Sequence, residues 1–167
     1  MAESEGLILY AAAYDSLDVA REDFEGIKFL KSEKFIGNYE AALFVKEEGG
    51  KVKIVNTDAT ERGWGAKVGI VTGAVLGIIF PPSILGMAAL GGGIGAVLGN
   101  FMKGMKRSDI KEIGDMLDEG QAGIILVGEV TLEEGLDRLM KRAAKIAKKQ
   151  VDAEAKEIKA AIDEAVG

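Results

Sequence analysis

Histidine and cysteine are both absent from the 167-residue chain, and proline occurs only twice. Without histidine, the chain lacks the commonest general base and the commonest ligand of transition metals. Serine–histidine triads and the usual zinc sites are therefore excluded, and the absence of cysteine excludes disulfides and thiol chemistry. Carboxylate or lysine chemistry remains possible, but no residue pattern indicates it, so the sequence predicts no catalytic residue, no metal site and no cofactor. We expect a protein that is not an enzyme.

Positive charge is scarcer than negative charge, and the net charge is −6 at neutral pH. This balance argues against general affinity for nucleic acid. The first six residues are acidic and lead directly into a strand-like segment, which is unlike a signal peptide. We therefore expect a cytoplasmic protein, and 167 residues suffice for one domain with a hydrophobic core.

The most distinctive feature is the segment Val68–Met102, which contains no charged side chain. Glycine recurs at every fourth position in and just before this segment, in two series: Gly65, Gly69, Gly73 and Gly77, then Gly91, Gly95 and Gly99. Residues four apart share one face of a helix, so each series predicts a stripe at which two helices approach closely. Pro81 and Pro82 lie between the series and predict a sharp turn. The segment is therefore predicted to be a glycine-zipper helical hairpin.

The spacing also predicts which glycines face each other across this hairpin. An antiparallel register centred beside the turn pairs Gly69 with Gly99, Gly73 with Gly95, and Gly77 with Gly91. Both arms are apolar all round, which predicts burial in protein or in lipid. The first arm, Val68–Phe80, has 13 residues and the return arm, Ile84–Met102, has 19, whereas a membrane-spanning helix needs about 20. Insertion into a bilayer or an assembly is therefore favoured over two full crossings.

The remainder of the chain predicts an α+β fold. Strand patterns at Leu7–Tyr14, Tyr39–Lys46, Lys51–Thr57 and Gly123–Val130 alternate with amphipathic helices after Asp15 and after Ser108. This order predicts a ferredoxin-like βαββαβ core. The core would comprise residues 1–62 and 105–130, with the hairpin inserted as residues 63–104.

A capping-box pattern at Thr131–Glu134 predicts a long C-terminal amphipathic helix over residues 131–167. Five basic residues lie within it: Lys141, Arg142, Lys145, Lys148 and Lys149. They predict a surface for anionic lipid or for a protein partner. The alternative, which we favour, is a solvated helix face paired with the acidic residues nearby.

The layout resembles a bacterial and archaeal family of unknown function whose members are described as predicted membrane proteins. The residues that carry the resemblance are Leu7–Tyr14, Lys51–Thr57, the glycine series Gly65–Gly99 and the helix Asp109–Leu117. More loosely, the chain is similar to glycine-zipper general stress proteins. These resemblances imply a ferredoxin-like core interrupted by a glycine-zipper hairpin, no catalytic residues, and a stress-related role.

Three functional hypotheses follow. The first is a non-catalytic protein that associates through its hairpin with other copies of itself or with lipid at the cytoplasmic membrane; removal of Val68–Met102 would then leave a folded core. The second is an oligomeric ferredoxin-like enzyme or small-ligand-binding protein, with Tyr10, Tyr14, Asp15 and Tyr39 nearest the pocket. The third is a pore-forming or membrane-perturbing protein.

Overall fold

A five-stranded antiparallel sheet forms the centre of the computed structural model, which describes residues 7–32, 39–59, 70–80, 101–129 and 142–151. The strands are β1 (Leu7–Tyr14), β2 (Tyr39–Lys46), β3 (Val52–Ala59), β4 (Ala122–Glu129) and β5 (Lys145–Val151). The helices are α1 (Leu17–Ser32), α2 (Ile70–Ile79) and α3 (Arg107–Met116). The strands lie in the order β3-β2-β4-β1-β5.

The prediction of a ferredoxin-like βαββαβ core is wrong. Such a core built from the predicted strands would place β3 between β1 and β2. Here β4 lies between them, and β3 lies at the edge of the sheet beyond β2. The burial of the strands explains the difference, because β4 is buried from Ala122 to Gly128, whereas β3 is only partly buried and carries the exposed Lys53. A strand that is apolar on both faces belongs at the centre, and a strand with charged side chains suits an edge.

The predicted helix over residues 131–167 is also wrong, because its middle part is a strand. Residues Lys145–Val151 form β5, which pairs antiparallel with β1 from Ala13–Lys145 to Leu7–Val151. Without β5, the outer backbone groups of β1 would form an open sheet edge. The other residues of the predicted helix up to Lys141 and from Asp152 onwards lie outside the described residues.

The two faces of the sheet carry separate hydrophobic clusters, which we call the α1 face and the α2 face after the helices that cover them. On the α1 face, Phe24 and Ile27 of α1 pack against side chains that include Tyr10 and Leu126. On the α2 face, α2 and α3 pack against side chains that include Phe44. Both faces are thus covered by helices.

Helix α2 is the first arm of the predicted hairpin, and it is buried against the protein's own sheet. Ala74, Val75, Leu76 and Ile79 belong to the same hydrophobic cluster as Phe44 of β2. Every residue from position 72 to 80 is buried except the partly buried position 78, as expected for a helix that is apolar all round. The side of α2 that faces the sheet is therefore covered by residues of the same chain. None of the helices within the described ranges has the length and apolar character needed to span a membrane.

Two glycines of the predicted stripe, Gly73 and Gly77, lie in α2. Among the described residues, a Cβ atom added at Gly73 would meet no heavy atom within 4 Å. Gly77 is buried. The other predicted stripe residues, Gly65, Gly69, Gly91, Gly95 and Gly99, lie outside the described residues, as do Pro81 and Pro82 of the predicted turn.

Candidate functional site

Three polar side chains in the described ranges are almost completely buried: Asp23, Glu40 and Thr72, which are 2%, 1% and 0% exposed. Burying a charged group is unfavourable unless the group is paired or hydrogen-bonded. These side chains therefore identify the places where polar interactions are built into the core. Asp23 is a residue of α1, and Glu40 and Thr72 contact each other on the α2 face.

Asp23 joins α1, β1 and the residues just before β5. The hydroxyl of Tyr14 donates to Oδ2 of Asp23 at 2.7 Å, and Nη2 of Arg142 donates to Oδ1 at 2.6 Å. The second guanidinium nitrogen, Nη1, donates to Oε1 of Glu22 at 2.8 Å. Both carboxylate oxygens of Asp23 are thus occupied. Burial raises the pKa of Tyr14 far above its ordinary value, and the hydrogen bond to Asp23 raises it further, so Tyr14 remains a protonated donor.

All three tyrosines of the chain lie on the α1 face, where Tyr10, Tyr14 and Tyr39 belong to one hydrophobic cluster. The hydroxyl of Tyr39 donates to Asp58 of the edge strand β3, and burial is the main cause that raises the pKa of Tyr39. The pocket predicted near these tyrosines had a fourth member, Asp15, which is instead exposed and accepts a hydrogen bond from Nε2 of Gln121 at 2.6 Å. The structure brings the three tyrosines together but closes them off from solvent.

Glu40 of β2 caps the first turn of α2. Its Oε1 accepts the backbone N–H of Thr72 at 2.8 Å and the hydroxyl of Thr72 at 2.9 Å. The first N–H groups of a helix have no partner within the helix, and a negative charge is favourable at this end of the helix dipole. A sheet residue therefore holds the start of the apolar helix α2 against the core.

Sequence reasoning missed Glu40, although a signal was present. Glu40 is the only charged residue in the predicted strand between Tyr39 and Val45. A charge within an apolar, buried strand indicates a specific partner. The partner, Thr72, is 32 positions away in the chain, and no local pattern connects the two residues.

Of the five basic residues predicted as a lipid or partner surface, neighbouring lysines of β5 lie on opposite faces of the sheet. Lys148 lies opposite Tyr10 and Lys149 opposite Leu9 in the β1–β5 ladder, so their side chains point to opposite faces of the sheet. Lys149 pairs with Glu112 of α3, with Nζ to Oε1 at 2.7 Å.

Arg142 and Lys149 are engaged in ion pairs within the chain. Arg142 pairs with Glu22 and Asp23. Their partners lie on α3 and α1 rather than in the C-terminal segment, where the sequence suggested them. Lys145 and Lys148 are exposed, and Lys141 lies outside the described residues. Binding of lipid by the exposed lysines stays a prediction.

In the part of the chain that the structure describes, no group of three or more acidic side chains is arranged to hold a metal ion. The polar groups that the structure brings together are hydrogen-bonded between elements: Tyr14 with Asp23, Tyr39 with Asp58, and Glu40 with Thr72. Chemically, this arrangement positions secondary-structure elements relative to one another.

Residues 66–163 match the family model described as "Protein of unknown function (DUF1269)". The chain belongs to this family. The match covers more than half of the chain and confirms the predicted resemblance to a family of unknown function. No curated protein and no solved structure gives a significant match.

The residues that match the family model include only part of the sheet. The matched residues include α2, α3, β4 and β5, but β4 and β5 are not neighbours, because β1 lies between them. Strand β4 is bounded on its other side by β2, which also precedes the matched residues. The matched part of the chain therefore depends on β1 and β2 for the pairing of its strands.

Proposed function

We propose that this is a non-catalytic protein that associates with other copies of itself through the uncharged segment between α2 and residue 101. One observation carries this proposal. Phe80 and Phe101, which flank the segment, are buried in the same hydrophobic cluster on the α2 face. The twenty residues 81–100 between them contain no charged side chain. An apolar segment that begins and ends at one face of the molecule is well placed to contact a partner at that face.

The burial of α2 favours association between copies over crossing of a membrane. Helix α2 packs on the sheet, and the chain is again part of the core at Phe101. The part of the uncharged segment between these two contacts is residues 81–100. Twenty residues that start and end at one face provide about 10 in each direction, or about 15 Å as helix. The hydrocarbon core of a bilayer is about 30 Å thick. This length supports neither a spanning hairpin nor a pore built from one, and shallow insertion into one leaflet is the alternative.

The buried polar groups support a non-catalytic role. A general base has to reach the proton that it removes. Asp23 is only 2% exposed and each of its carboxylate oxygens already accepts a hydrogen bond, and the raised pKa values of Tyr14 and Tyr39 keep these hydroxyls protonated. These groups act as structural pairs between elements. The stress-related role implied by the looser resemblance stays a prediction.

The experiment compares the full chain with a variant in which residues 82–100 are replaced by a short glycine–serine linker. Both proteins are purified without detergent, and their masses are measured by light scattering. We expect a discrete oligomer for the full chain and a monomer with unchanged far-ultraviolet circular dichroism for the linker variant. The matched control is Ile146→Ser, which removes an apolar side chain that is 41% exposed on β5 and should leave the mass unchanged.

Two outcomes would overturn the proposal. A monomeric full chain shows that the segment does not join copies, and a linker variant that keeps the oligomeric mass shows that the interface lies elsewhere. A monomer that floats with vesicles of anionic phospholipid, while the linker variant does not, would replace self-association with lipid binding.

A further inference from the structure

We draw no further inference here: the strongest candidate, the buried carboxylate of Glu40 on β2 that holds the first turn of α2 through Thr72, is a helix N-terminus with no second observation that points to a ligand or to a release of the helix.

Discussion

Replacing Glu40 by alanine tests how α2 is held on the sheet, and we expect it to lower the free energy of unfolding by about 2–4 kcal/mol. In the folded protein, Glu40 accepts two hydrogen bonds from Thr72, one from the backbone and one from the hydroxyl. A hydrogen bond to a charged group contributes about 1.5–3 kcal/mol, and a buried donor left without a partner costs about 1–3 kcal/mol. Removing the buried carboxylate also removes its desolvation penalty, which keeps the total below the sum of these contributions.

Three further variants separate the parts of this contact. Glu40→Gln keeps an oxygen acceptor but loses the charge, so its effect should be smaller than that of Glu40→Ala. Thr72→Val removes the hydroxyl in a side chain of nearly the same shape, whereas Thr72→Ser keeps it. The control is Glu48→Ala, because Glu48 is exposed in the turn between β2 and β3.

Urea unfolding followed by far-ultraviolet circular dichroism measures the changes. A loss of about 3 kcal/mol corresponds to a decrease in Tm of roughly 6–12 °C for a domain of this size. If Glu40→Ala unfolds at the same urea concentration as Glu48→Ala, the contact does not stabilise α2, and its apolar packing alone holds it in place. If Thr72→Val and Thr72→Ser have the same free energy of unfolding, the hydroxyl of Thr72 contributes nothing to stability.

Further predictions concern two glycines, the tyrosines and the family match. In Gly123→Ala the new Cβ would lie 2.6 Å from an aromatic ring of β2, so thermal denaturation should show a loss of about 1–3 kcal/mol. In Gly73→Ala the new Cβ meets nothing within 4 Å, so the variant should be neutral or up to about 1 kcal/mol more stable; a clear loss would indicate close glycine packing after all. Because burial raises the pKa of Tyr14 and of Tyr39 in the folded protein, these tyrosines ionise first in the unfolded chain, near the ordinary tyrosine pKa of 10.0. The contribution of these two tyrosines to the free energy of unfolding should therefore be fully present below pH 10 and decrease as the pH rises above it. The tyrosinate absorbance of these two residues should appear together with the loss of circular dichroism, and full ionisation of the folded protein would contradict this reasoning. The isolated fragment 66–163 should lack a cooperative unfolding transition, since β4 would have neither of its neighbours.

The first two strands were predictable from the sequence because local residue patterns were sufficient to indicate them. The predicted strands Leu7–Tyr14 and Tyr39–Lys46 have the bounds that the structure shows. The pair Gly49-Gly50 between the second and third strand patterns is typical of a turn, and in the structure both glycines have a positive φ of 86°, a conformation that glycine adopts without strain. Elements that depend on neighbouring residues in the chain were thus identified correctly.

The order of the strands was not predicted, although the sequence contained a signal for it. The segment Gly123–Val130 is the most apolar of the predicted strands, yet a ferredoxin-like order of the predicted elements would place it at the edge of the sheet. An edge strand exposes backbone and side chains, so the most apolar strand belongs at the centre. In the structure β4 lies between β2 and β1, with Ile124, Ile125 and Leu126 fully buried.

Strand β5 was predicted as helix because the capping-box pattern at Thr131–Glu134 and the apolar spacing after it favoured one long helix. The buried apolar residues of β5 do not distinguish a helix from a strand. Ala147 and Val151 are its buried apolar residues, and they are four positions apart. Residues i and i+4 share a face on a helix and also on a strand, so this spacing does not distinguish the two. Ile146 does distinguish them, because Leu139, Ala143 and Ile146 have the spacing of an apolar helix face, whereas Ile146 is 41% exposed on β5. Pairing with β1, more than a hundred positions away, decides the conformation.

The packing of α2 on the sheet changes the expected effect of deleting the predicted hairpin. The glycine register treated Val68–Phe80 and Ile84–Met102 as each other's partners, whereas the side chains of α2 pack in one cluster with Phe44 and Ile125 of the sheet. A deletion of Val68–Met102, expected from the sequence to leave a folded core, would therefore remove an entire buried helix. Each large buried side chain lost from a core costs about 2–5 kcal/mol, and Leu76, Ile79 and Phe80 would be lost together. Since a whole domain is stabilised by only about 5–15 kcal/mol, that deletion should unfold the protein, and only a replacement confined to residues 82–100 separates association from folding.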